Sequence, residues 1–172
     1  MHVAEAIALG FIYPTPSSVA ALTEATESAT RGPVQRKLRQ FIAEIQELSL
    51  GAWEELHTAT LDLSPPFVPY VGHVQWGDNY KRGELMATLK GEMTAAGIDL
   101  RGELPDHIEP ILRYLAVVTD PNEELVEILR PTVETMSTTL QDAAPTNPYR
   151  HLIEAVELYT ADLHPLTIGR SK

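Results

Sequence analysis

The run Gly102-Glu103-Leu104-Pro105-Asp106-His107 sets two carboxylates and an imidazole within six residues. It places an acid and a ring that can gain or lose a proton side by side at what reads as a helix start. Asp106 has the chemistry of an N-cap, its carboxylate accepting from first-turn amides, and Glu109 three residues on completes a capping box. His107 has no comparable structural task, so it is the candidate for binding. The plainer alternative is a well-capped helix after a rigid turn.

A second pattern with chemical content is Glu54-Glu55-Leu56-His57. Glu-x-x-His is the helical spacing of di-iron carboxylate bundles, which need a second copy and two further glutamates. No second copy occurs, nor does His-Glu-x-x-His. His2, His73, His151 and His164 are scattered without ligand spacing. Neither a glycine-rich phosphate loop nor a signature of nucleophilic catalysis is present.

The body that must position these groups is a chain of 172 residues without cysteine and with net charge −11. That length suits one domain burying about 70% of its unfolded surface. Lack of cysteine excludes thiol chemistry and iron-sulfur ligation and suits a reducing cytoplasm. No apolar run is long enough for a membrane span, and Met1-His2-Val3-Ala4-Glu5 lacks the basic start of a signal peptide. A soluble protein that stays in the cytoplasm is expected, with no stable membrane insertion. The negative charge disfavours nucleic acid and anionic membranes and favours basic partners. It is concentrated between Asp99 and Asp142, where ten acids face three bases. The basic cluster Arg31, Arg36, Lys37 and Arg39 reads as the wet face of a helix.

Apolar periodicity is helical almost throughout. Val34, Leu38, Phe41, Ile42, Ile45 and Leu48 form one stripe. Leu85, Met86, Leu89 and Met93 form another, ended by Gly97 as a natural C′ residue. Ile108, Ile111, Leu112 and Leu115 follow the acidic loop. Leu125 to Leu140 reads as a long helix that Pro131 should kink. The stripe Tyr149 to Leu163 is opened by Asn147 as N-cap and Pro148 at N1. Val3 to Ile12 and Ser17 to Ala29 complete the set.

Phe67 to Trp76 alternates like a strand but no other segment offers a partner, so it reads as a short helix or extended connection. The expected fold is all-α, a single bundle of about eight helices. N-terminal helices lie within residues 1–97, a hinge loop spans 98–105, and C-terminal helices fill 106–172.

The Glu103-Leu104-Pro105-Asp106-His107 loop, followed by an apolar helix ending Tyr114-Leu115-Ala116, resembles the signature of the TorD/DmsD/NarJ family of helical redox-enzyme maturation chaperones. Leu9 to Pro16 resembles the end of that family's first helix. Leu61-Asp62-Leu63, Tyr70 and Gly77-Asp78 are similar to its middle. Lys81-Arg82-Gly83 through Ala95-Ala96-Gly97 resembles the helix before the loop in the nitrate reductase delta-subunit branch. The likeness spans Leu9 to Ala116, and the chain departs from it at Pro66 to Pro69, where the family runs as helix.

The resemblance implies a cytoplasmic chaperone, not an enzyme, with no cofactor of its own. Its implied partner is the catalytic subunit of a molybdenum-dependent oxidoreductase, whose twin-arginine-type leader carries a basic pair and then an apolar stretch. Molybdenum-cofactor biosynthesis proteins are implied as further partners. On the family motif, Glu103, Pro105, Asp106 and His107 belong to the peptide site, with Glu103 or Asp106 facing the leader's arginines. Tyr70 and Trp76 are the candidate apolar anchors. The rivals are a helical metal enzyme built on Glu54 and His57, and a permanent subunit of an oxidoreductase complex.

Overall fold

The computed structural model describes residues 1–29 and 31–163; His164 therefore lies outside the described residues. Among these the chain forms nine helices: α1 (Val3–Leu9), α2 (Ser18–Ala29), α3 (Gly32–Gln46), α4 (Leu50–Leu61), α5 (Val71–Trp76), α6 (Tyr80–Ala95), α7 (Ile108–Val117), α8 (Glu123–Ala143) and α9 (Tyr149–Ala161). The all-α expectation holds.

The apolar stripes face one continuous core. Leu38, Phe41, Ile42 and Ile45 turn α3 onto α9, where Leu152, Ile153, Ala155 and Val156 are buried. Each such fully buried aliphatic side chain contributes roughly 1.5–3 kcal/mol. Charged groups tie the seam at its edge: Arg150 donates to both oxygens of Glu44 at 2.7 and 3.0 Å. Small residues bring α1 against α2, α7 and α9, with Ala4, Ala6, Ile7 and Ala8 all buried. Gly10 is required at its C-terminus, because a Cβ there would stand 2.6 Å from Leu152 Cδ1.

Helix ends follow local chemistry. Asn147 Oδ1 accepts from the Tyr149 amide at 2.9 Å, the cap expected of it. Asn122 opens α8 in the same manner, bonding the Leu125 amide at 3.0 Å. The helix continues through Pro131 to Ala143. Gly97 takes φ 75° after α6, and the Ile98 amide reaches back to Met93 O at 2.9 Å.

Residues 98–105 are built as a turn. Asp99 Oδ1 accepts from the Arg101 amide at 2.9 Å, and the Glu103 amide donates to Leu100 O at 2.9 Å. Arg101 and Gly102 between them adopt φ 54° and 81°. Ile98 and Leu100 pack against the core at the loop's entry, Pro105 is buried at its exit, and Glu103 between them is half-buried.

Candidate functional site

The acidic loop is held by the segment that resisted assignment from sequence. The Val71 amide donates to Asp106 O at 2.8 Å and the Ile108 amide to Pro69 O at 3.0 Å, an antiparallel bridge between Tyr70 and His107. Tyr70 thus has a pairing partner after all, and α5 starts at the next residue, Val71. Periodicity missed it because one bridge leaves no repeat to detect.

This pairing settles which residue caps α7. His107 is the N-cap: its Nδ1 accepts from the Glu109 amide at 3.1 Å, which leaves the ring proton on Nε2. The expectation that Asp106 caps, with Glu109 completing a capping box, is corrected. Asp106 lies one residue too early, and the Glu109 carboxylate instead takes Arg113 Nε and Nη2 at 2.6 and 3.0 Å. The imidazole that had no assigned structural task has one.

Asp106 is fully buried at 0% exposure and is claimed from another helix. Arg82 of α6 donates Nε to Oδ2 at 2.8 Å and Nη2 to Oδ1 at 3.3 Å, a bidentate pair. The guanidinium also lies 5.6 Å from the Tyr70 ring centroid and within 3.8 Å of Asp78. Its hydrogen bond to Asp106 holds the Arg82 pKa above its usual value. Gly72 makes the approach possible, since a Cβ there would stand 2.8 Å from Asp106 Oδ2. Asp106 therefore anchors the loop to α5 and α6, and its charge is already matched within the chain.

Glu103 differs. It is half-buried, and its Oε1 accepts from the Tyr70 hydroxyl and from the Leu104 amide, each at 2.9 Å. No ion pair engages it among the described residues. Burial first, and then the Glu103 hydrogen bond, push the Tyr70 phenol far above its usual pKa, so it remains a donor. The Tyr70 ring meets the His107 ring edge-on at 5.1 Å. Burial holds His107 below its usual value, opposed by the fields of Glu103, Glu109, Asp106 and Asp62. The neutral ring can offer Nε2–H to an acceptor.

The structure brings Tyr70, Glu103, Pro105, Asp106 and His107 together. Trp76 stands apart as the last residue of α5, half-buried against the core. Asp62, at the end of α4, was missed: it is exposed, and its negative field reaches Tyr70, His107 and His57. Its only sequence signal was membership of the Leu61-Asp62-Leu63 run. His57 Nδ1 and the Tyr149 hydroxyl are hydrogen-bonded at 3.0 Å, and Trp53 Nε1 donates to that hydroxyl at 3.2 Å. Among the described residues no three His, Asp or Glu side chains are grouped as metal ligands.

The resulting site is a hydroxyl-bearing aromatic, a neutral imidazole and a carboxylate without an ion pair among the described residues, Glu103. Such a set can accept a guanidinium or ammonium group and hydrogen-bond the chain that carries it. Among the described residues no helix is long and apolar enough to cross a membrane.

The sequence matches no protein-family model and no curated protein. Among solved structures, a crystal structure described as that of a putative redox enzyme maturation protein from Archaeoglobus fulgidus is similar, with TM-score 0.64 and 18% identity over 92% of this chain and 91% of that one. At that identity the likeness is one of architecture: the chain has the all-helical fold of that protein over nearly its whole length.

Proposed function

We propose that this protein is a maturation chaperone for a redox enzyme, binding the basic and apolar N-terminal leader of a molybdenum-dependent catalytic subunit while that subunit receives its cofactor. It performs no catalysis in this reading. The observation that carries it is Glu103, a half-buried carboxylate positioned by the Tyr70 hydroxyl and without an ion pair among the described residues, whereas the neighbouring Asp106 and Glu109 are matched internally by Arg82 and Arg113.

In this reading a leader arginine pairs with Glu103 beside the Tyr70 ring, while His107, buried at 5% exposure, serves the site by capping α7 and packing edge-on against Tyr70. Net charge −11 adds attraction at longer range. Shared architecture with the Archaeoglobus maturation protein supports the same reading. Asp106 acts by holding the loop in place.

Calorimetry with a synthetic basic and apolar leader tests this. Binding should weaken as salt rises, and Glu103→Gln should lower affinity about tenfold, the loss of one charge-assisted hydrogen bond. A leader that binds the variant as well as the parent would remove Glu103 from the site.

A further inference from the structure

The helix α4 is buried on one face only, through Trp53, His57, Thr60 and Leu61. Its opposite face forms a groove of about 480 Å³. Tyr13 and Leu63 wall it, 50% and 69% exposed, while Gly51 and Ala59 keep the floor low. Glu54 and Glu55 stand along it, and among the described residues neither has an ion pair.

The wall is fixed from behind. The Trp53 indole donates to the Tyr149 hydroxyl, the hydroxyl bonds His57, and the Tyr13 ring packs edge-on against His57 at 5.3 Å between centroids. An apolar wall held in this way needs little ordering when a ligand arrives. Leu63 closes the groove just past the C-terminal end of α4, one residue beyond the exposed Asp62.

We infer that this groove is a second docking surface, taking an apolar peptide segment flanked by lysine or arginine. The apolar residues lie between Tyr13 and Leu63, and the cation faces Glu54 and Glu55. Charge chooses the occupant: exposed apolar walls bordered by two unmatched carboxylates attract a cationic, greasy segment and disfavour an acidic one. The inference rests on the leader-binding reading and extends it, giving the leader's apolar stretch and a flanking cation a place on α4.

The test is calorimetry of the same synthetic leader against the full chain and two variants, Glu54→Gln with Glu55→Gln, and Ala59→Trp, with helical content checked first by circular dichroism. Each variant should bind five- to tenfold more weakly, and the charge variant should show a shallower dependence on salt. The carboxamide pair keeps size and helix propensity, so it remains informative if Ala59→Trp fails to fold. Equal affinity for parent and both variants overturns the groove assignment while leaving leader binding intact. Absence of binding to the parent overturns leader binding itself, and the groove assignment with it. Sedimentation of the parent alone separates the other occupant: concentration-dependent dimers abolished by Ala59→Trp would assign the groove to a second copy and overturn the inference.

Discussion

Asp106 and Arg82 form a pair in which the carboxylate has no exposure and the guanidinium side chain keeps 14%. Removing Asp106 leaves the largely buried guanidinium with only the exposed Asp78 carboxylate at 3.8 Å, which costs about 3 kcal/mol. Asp106→Ala should therefore lower unfolding free energy in urea by that amount, and any binding loss in this variant must be read against its folding. His107 supplies a second residue-scale test. Its folded pKa lies below the ordinary 6.5, as does that of His57. As pH falls through 6.5 the unfolded chain takes up protons first, so stability is full above that pH and is lost on acidification. Asparagine caps a helix without titrating. His107→Asn should keep most of the stability at pH 8 and flatten part of the acid slope, with His57 supplying the rest; an unchanged slope would exclude His107 as a source. The sequence showed that an acid and an imidazole met at a helix start, but not which of them capped it. Asp106 and His107 are neighbours that both accept hydrogen bonds, and the choice goes with the bridge to Tyr70 and the claim of Arg82 on Asp106, both distant in sequence and invisible to local pattern.

At the scale of elements, most of the helices were legible because each buries an amphipathic stripe that repeats. Leu38 to Ile45 and Leu125 to Leu140 are examples, and Gly97 marked the end of α6 and Asn147 the start of α9 by ordinary capping chemistry. Residues 69–71 were not legible, since their one bridge to 106–108 depends on a tertiary approach. Gly72 permits that approach: Gly72→Ala would press a methyl against Asp106 Oδ2 at 2.8 Å and Arg82 Cγ at 3.0 Å. Displacing a matched, buried pair should cost about 1–3 kcal/mol, detectable as a lowered urea midpoint with unchanged slope. Gly10→Ala should cost less, about 1 kcal/mol, because the atoms it would press at 2.6 and 2.7 Å are the two terminal methyls of buried Leu152, which must turn aside. If both variants unfold at the parent's midpoint, α5 and α1 are less tightly seated than these distances require.

For the whole molecule, the surplus of negative charge was plain from composition, yet its useful part was not. Internal arginines match Asp106 and Glu109, while Glu103, Asp62, Glu54 and Glu55 stay without ion pairs among the described residues. Only folding sorts matched carboxylates from unmatched ones, which is why counting acids between Asp99 and Asp142 pointed to a basic partner without locating its contacts. The most direct measurement is a double-mutant cycle pairing Glu103→Gln with replacement of the leader's arginines by glutamine, read by calorimetry at low salt. A direct contact predicts a coupling on the order of 1 kcal/mol or more, so that removing both partners costs less than the sum of removing each. Strict additivity, with each change acting independently of the other, would contradict the assignment of Glu103 as the carboxylate that receives the leader.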